Sequence, residues 1–253
     1  MDRPSDRRVA LITGASLGIG AATAVELGQR GLSVAVHYNS SKQEAEQVAG
    51  AIRTKGGRAD MFRADLSRAS ECRQLVADVV ERLGRIDVLV NNAGSLVGRR
   101  RLEQIDDRFW AQVMDLNLAS VLWVTQGAVA DMRRRGSGSV VNLGSIAGHN
   151  GGGPGAVLYA TAKAAVTALT KGLAKELIGD GIRVNAVNPG VILTPFHERF
   201  SSEERMRDMV SQIPQGRAGQ AQEVATVIAF LASDAASHVV GESIEVNGGM
   251  LMD

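Results

Sequence analysis

Short apolar runs of strand length alternate with longer stretches of helical periodicity from residue 9 to residue 246, and no other feature narrows the fold as much. Strand candidates fall at 9–13, 33–37, 59–63, 86–90, 139–143, 183–187 and 243–246, with helical patterns at roughly 18–30, 41–55, 68–83, 107–135, 157–178 and 220–233. A strand, a helix and a further strand join as a right-handed crossover onto a parallel sheet, so the pattern predicts a seven-stranded, doubly wound α/β sandwich with helices on both faces. At 253 residues and 45% hydrophobic composition the chain can bury one substantial core, and a single domain over 1–253 is expected.

The first strand candidate leads through Gly14, Ser16, Leu17, Gly18, Ile19 and Gly20 into a helical pattern. Glycines at such a turn let the backbone approach a pyrophosphate, and the amides of the helix N-terminus offer donors and a favourable dipole, so a dinucleotide is the natural ligand. Far along the chain, Tyr159 and Lys163 stand one turn apart on a helical pattern, with Ser145 just after the strand candidate at 139–143. A phenol with its ordinary pKa near 10 is a poor acid or base at neutral pH unless a nearby positive charge favours phenolate. Lys163 can supply that charge, and the Ser145 hydroxyl can hydrogen-bond a substrate oxygen and a developing oxyanion. These parts suit proton transfer to a carbonyl oxygen. Asn117 falls inside an apolar helical pattern, a costly place for an amide without a partner.

Thr13 to Gly20, Asp65 and Leu66, Asn91 to Gly94, Asn117, Ser145, Tyr159-x-x-x-Lys163 and Asn188-Pro-Gly190 together resemble the short-chain dehydrogenase/reductase family, in its 3-oxoacyl-acyl-carrier-protein reductase-like branch. The resemblance runs from Val9 to about Gly249. It implies a Rossmann-type sandwich that interconverts a carbonyl and a secondary alcohol by hydride transfer with NAD(P)(H). Asn117, Ser145, Tyr159 and Lys163 match the family's catalytic set, in which Lys163 lowers the Tyr159 pKa and bonds the nicotinamide ribose while Asn117 holds a water linked to Lys163. Asp65 with Leu66 matches an adenine contact, and Asp65 has a second reading as a cap for the helix after Ser67. Asn92, Ala93 and Gly94 match the lining of the cofactor cleft. Pro189, Gly190, Val191 and Thr194 match contacts to the nicotinamide carboxamide and phosphates. The segment at about 191–217 resembles a mobile substrate lid.

Cofactor choice turns on the end of the second strand, where an acidic residue about eighteen positions past Gly20 would bind a ribose 2′-hydroxyl and repel a 2′-phosphate. Tyr38, Asn39 and Ser40 stand there without a carboxylate. NADP(H) is therefore preferred, with NAD(H) as the alternative, since Leu17 occupies a place where many NADP(H)-using relatives carry a basic residue. The substrate is expected to be a small-molecule carbonyl or alcohol. The first reading is an NADPH-dependent ketone or 3-oxoacyl reductase, whose acyl carrier protein would meet Arg134, Arg135 and Lys175. The second is an NAD-dependent polyol or sugar dehydrogenase, and the third a non-catalytic dinucleotide-binding sensor or scaffold. The glycine-rich stretch 148–155 exceeds a minimal connection and hints at a substrate outside the fatty-acid pathway.

A net charge of +1 gives no field that points to nucleic acid or to an anionic membrane. No run is expected to reach membrane-span length, and the leader at 1–8 lacks an apolar signal core, so a cytoplasmic location is expected. Cys72 is the only cysteine, which excludes an internal disulfide. His37, His149, His197 and His238 lack ligand spacing, so no metal is expected and each reads as a loop or surface residue, with His149 bordering the substrate. The clusters 99–101 and 133–135 read as solvated arginines. The helical patterns at 107–135 and 157–178 carry more apolar positions than one sheet face needs, and relatives pair these helices, so a homotetramer is expected.

Overall fold

All seven strand candidates pair into one parallel sheet in the computed structural model, which describes residues 7–252; most of the charged leader, at 1–6, and Asp253 lie outside the described residues, as do the side chains at 197–199, His197 among them. In chain order the elements are β1 (Val9–Ile12), α1 (Gly18–Gln29), β2 (Ser33–Tyr38), α2 (Lys42–Thr54), β3 (Arg58–Arg63), α3 (Ala69–Leu83), β4 (Val88–Asn91), α4 (Asp107–Met114), α5 (Ser120–Arg135) and β5 (Gly138–Leu143). They continue with α6 (Ala147–Asn150), α7 (Val157–Leu177), β6 (Ile182–Pro189), β7 (Ile192–Leu193), α8 (Pro195–Phe200), α9 (Glu203–Ser211), β8 (Gly219–Gln220), α10 (Ala221–Leu231) and β9 (Ser243–Val246).

The strand order is β3-β2-β1-β4-β5-β6-β9. Because side chains alternate along a strand, each central strand feeds two cores. Ala10, Ile12, Val34, Val36, Val88 and Val90 meet α1, α2 and α10, whereas Val9, Leu11, Ala35 and Leu89 meet α3, α5 and α7. The register pairs Ala10 with both Val34 and Val88, so β1 lies inside the sheet, beside the central β4, with neighbours reached by opposite routes. That reversal between β1 and β4 opens a crevice beyond the carboxyl ends of the strands, the place where ligands bind in such sheets.

One segment departs from the sequence expectation. The continuous helix expected at 107–135 carries a π-helical turn, Asp115–Ala119, between α4 and α5, centred on Asn117. The whole stretch Asp107–Arg135 is nevertheless long and apolar enough to cross a membrane by length and composition, contrary to the expectation that no run would be. Here α5 buries Val124, Ala128 and Met132 against the sheet and α3, as the core helix of a sandwich does. The segment after β6, read from the sequence as a lid, is built of β7, α8 and α9. Its start is pinned where Ile192 pairs with Gly219 of β8.

Candidate active site

The glycine turn after β1 is held from below by side chains of three other segments. Thr13 Oγ1 accepts from the backbone N–H groups of Asn92 and Ala93, each at 3.0 Å. Asn92 Nδ2 donates back to Thr13 O at 2.9 Å and Gly14 O at 3.0 Å, so its amide is spent on the turn. Gly14 has φ +62°, and a Cβ there would stand 3.0 Å from Ala93 Cα. At Gly20 a Cβ would collide with Gly14 O. The turn is thus a cradle that only glycine leaves open. His37 completes it: Nδ1 accepts from Gly14 N–H at 2.9 Å and Nε2 donates to Ala64 O at 3.1 Å. The ring is 2% exposed, and burial holds its pKa down at about 4 despite the bond to Ala64. The expectation of a loop or surface histidine is corrected here, because β2 points His37 inward beneath the turn.

Across the crevice, α7 carries Tyr159 and Lys163 on one face, and β5 delivers Ser145. The Ser145 hydroxyl hydrogen-bonds the Tyr159 phenol. Lys163 is buried, donates from Nζ to Leu143 O at 2.6 Å and lies 5.7 Å from the Tyr159 ring centroid. Burial pushes the Tyr159 pKa up to about 12 against the opposing bond from Ser145, and pulls the Lys163 pKa down to about 8. A phenol acidified by the lysine was expected. In this structure desolvation outweighs any such effect, because it disfavours the charged form of both groups.

Asn117 does not face the cleft with its amide. Nδ2 donates to Ser95 O at 2.8 Å and Val113 O at 2.9 Å, and Oδ1 accepts from Ser95 N–H at 3.0 Å. The amide that looked costly is therefore satisfied, and it sews the loop after β4 to the π-helical turn. Gly94 stands between Asn117 and Lys163: a Cβ there would be 2.8 Å from Asn117 Oδ1 and 3.3 Å from Lys163 Nζ. Below this level a buried relay of amides joins α5 to α7. Asn91 Nδ2 donates to Thr125 Oγ1 and Asn142 Oδ1, and Asn142 Nδ2 donates to Thr170 Oγ1, each at 2.9 Å.

Ser145, Tyr159 and Lys163 share one cleft of about 730 Å³ with the glycine turn, whereas Asn117 lies behind its wall. Of the expected cofactor positions, Gly14, Leu17, Gly18, Ile19, Asn92, Ala93, Gly94, Tyr159, Lys163, Pro189, Gly190, Val191 and Thr194 form its wall. A long cleft that begins at an open glycine turn fits a dinucleotide. Ser16, Gly20, Tyr38, Asn39, Ser40, Asp65 and Leu66 do not line it. Gly20 packs under the turn, and Tyr38 and Leu66 are buried in the two cores. Asn39 and Ser40 are exposed beyond β2. Asp65 closes a local turn and does not cap α3, whose N-cap Arg68 has no side-chain bond: its Oδ1 accepts from Ser67 N–H at 3.1 Å and Ser67 Oγ at 2.7 Å, which holds its carboxyl below the usual range.

The far end of the cleft belongs to the segment expected as a lid, at about 191–217, together with Arg99, which the sequence did not single out for a site. Phe196 sits with its ring centroid 5.8 Å from that of Tyr159, and Phe200 follows at 5.2 Å from Phe196, so α8 roofs the phenol with aromatic rings. Arg99 and Arg205 face the same space, which corrects the reading of Arg99 as a solvated arginine. His149 does not line the cleft; its Nε2 approaches Asn188 Nδ2 at 3.1 Å and Glu245 Oε1 at 3.5 Å. Arg135, offered as a carrier-protein contact, is held by Asp131 and by Ile86 O, whereas Lys175 is exposed.

A family model described as enoyl-(acyl carrier protein) reductase matches residues 14–251. The 3-oxoacyl-[acyl-carrier-protein] reductase FabG of Staphylococcus aureus (strain Mu50) is 42% identical over 243 residues, covering 96% of this chain and 98% of that protein. The 3-oxoacyl-[acyl-carrier-protein] reductase of Synechocystis is 42% identical over 250 residues, covering 97% of each. Among solved structures, the NADH-dependent reductase A1-R′ responsible for alginate metabolism superposes with a TM-score of 0.89 at 39% identity over 98% of both chains, and the same reductase has been solved in complex with NAD.

Proposed function

The chain belongs to the short-chain dehydrogenase/reductase family, whose members act on a carbonyl and alcohol pair with NAD(P), and from that footing we propose that it works as a reductase, taking hydride from NADPH to reduce a ketone or a 3-oxoacyl group. The observation that carries this reading is the convergence of Ser145, Tyr159 and Lys163 on one wall of a cleft whose other end is the open glycine turn.

The turn from Gly14 to Ile19, the Asn92–Gly94 loop and the Pro189–Thr194 segment would hold the dinucleotide, which when bound supplies hydride to the carbonyl carbon. Ser145 orients the carbonyl by donating to its oxygen. Tyr159 then gives its proton to that oxygen as negative charge develops. A phenol whose pKa stands at about 12 keeps its proton through the neutral range, which favours the reductive direction. Lys163, with its pKa near 8, is the group able to return a proton to Tyr159. A water spanning Asn117 and Lys163 past Gly94 would complete that supply.

NADPH is preferred over NADH on two grounds. The exposed end of β2 has no carboxylate at Tyr38, Asn39 or Ser40 to repel a 2′-phosphate. Arg63, at the end of β3, donates from Nε to Asn39 O at 3.3 Å and sets a guanidinium beside that place. The similarity to 3-oxoacyl reductases supports an acyl-carrier thioester as substrate, docked through Lys175 and the exposed arm of Arg134. It also supports a cytoplasmic setting. The roof formed by α8 and α9 acts as a lid in this reading. The chain assembles as a homotetramer through α4, α5 and α7, which sedimentation showing a concentration-independent monomer would refute.

Paired fluorescence titrations with NADPH and NADH, followed by a ketone and alcohol panel, test the reading. Tighter NADPH binding with ketone turnover supports it. Preference for NADH with oxidation of polyols would instead make the chain a catabolic dehydrogenase.

A further inference from the structure

Two guanidinium groups face one another at the substrate end of the cleft, with no counter-charge among the described residues. Arg99, in the loop after β4, donates from Nε to Phe200 O at 3.2 Å and from Nη1 to Pro154 O at 3.0 Å. Its plane is fixed by these two carbonyls, and Nη2 is left uncommitted. Arg205, on α9, lies across Gly153, where a Cβ would collide with its Nη2 and stand 3.3 Å from its Cζ. Gly155 gives Arg99 similar room: a Cβ there would stand 3.0 Å from Arg99 Cβ. The glycine-rich loop before Tyr159 therefore has a physical purpose, because side chains at 153 and 155 would push both arginines away.

Among the described residues no carboxylate lies within 4.0 Å of either guanidinium. Asp208 is the one carboxylate among the described residues of the cleft wall, and it forms an ion pair with neither. Burial, and after it the Arg205 charge, lowers the Arg99 pKa, as expected for like charges held near one another. Arginine presents a fork of donors suited to planar oxyanions, and here two forks open into a cavity that also contains the phenol.

We propose that Arg99 and Arg205 form a subsite for an oxyanion carried on the substrate's own skeleton, a carboxylate or a phosphate, so that the substrate is a short keto acid or keto phosphate. The proposal rests on the carbonyl-reductase reading above and selects its ketone arm over the acyl-carrier thioester. Since Arg99 also holds Phe200 O at the end of α8, an anion bridging the two arginines ties the loop after β4 to the aromatic roof over Tyr159.

The test compares levulinate with methyl levulinate, and dihydroxyacetone phosphate with dihydroxyacetone. Specificity constants and calorimetric Kd values are measured for wild type, Arg205→Gln and Arg205→Lys. The ratio of charged to neutral partner within one protein cancels any general loss of folding or turnover. In at least one pair wild type favours the charged member by about tenfold or more, Arg205→Gln removes most of that preference, and Arg205→Lys recovers part of it. A preference confined to levulinate identifies a carboxylate, and one confined to dihydroxyacetone phosphate identifies a phosphate. Equal ratios in wild type and Arg205→Gln for both pairs overturn the proposal. If no compound is turned over, the reductase reading fails, and the Kd ratios decide the subsite by the same criterion.

Discussion

Lowering the pH from about 8 to about 5 should destabilise this protein by about 2 kcal/mol through His37 alone. Both ring nitrogens are committed in the neutral form, Nδ1 accepting from Gly14 N–H and Nε2 donating to Ala64 O, so a second proton would face the Gly14 N–H. Burial places the folded pKa at about 4, against 6.5 for an unperturbed ring. Because the folded value lies below the unfolded one, the stability is complete above about pH 6.5. It falls as the unfolded chain alone takes up a proton and levels off below about pH 4, where the loss totals about 3 kcal/mol. The assay is urea denaturation of wild type and His37→Leu at both pH values, at one protein concentration because assembly shifts apparent stability. The leucine variant loses the bond to Gly14 at either pH, an offset of about 1–3 kcal/mol that cancels in the pH difference, as do the other titrating groups. Wild type should lose about 2 kcal/mol more than the variant between the two conditions. Equal losses, or an NMR titration placing His37 near its ordinary value, would refute the argument. Should leucine prevent folding, His37→Gln serves, since it keeps a donor and an acceptor but does not titrate.

Tyr159→Phe should lower kcat by at least about 10²-fold while stopped-flow binding still shows cofactor uptake, since only the proton donor is removed. Reductive kcat/KM should fall as pH rises through about 8, where Lys163 loses its proton, and a profile flat to pH 10 would remove Lys163 from the proton supply. Gly94→Ala should lower kcat by about tenfold or more, because its methyl group would intrude between Asn117 Oδ1 and Lys163 Nζ; an unchanged kcat in steady-state assays counts against the relay. Asn142→Leu should cost about 1–3 kcal/mol in urea denaturation, since Asn91 Nδ2 and Thr170 Oγ1 each lose one buried hydrogen bond.

The strands and helices were legible because burial on a strand or a helix face leaves a local period, and a few residues suffice to display it. The glycine turn was legible for a similar reason: Gly14, Gly18 and Gly20 mark backbone positions with no room for a side chain, and the marks are adjacent in the chain. Spacing also placed Tyr159 and Lys163 together, since one helical turn joins them. The π-helical turn at Asn117 was missed because the apolar period continues across it, and its signal was the amide itself, which needs partners inside an apolar run.

The sequence by itself determined the order of elements, the sandwich they form and the cleft-end motifs, all properties of residues that interact with near neighbours or with the backbone. The tertiary structure alone decided how those groups are charged and whom they face. His37 is neutral because burial beneath the glycine turn takes its ring out of water, and Lys163 has a pKa near 8 because the core excludes water from it. Arg99 and Arg205 come together because the loop after β4 and the first turn of α9, far apart in the chain, both pack against the glycine-rich loop. Desolvation and charge pairing depend on distance through space, which a linear order of residues does not contain.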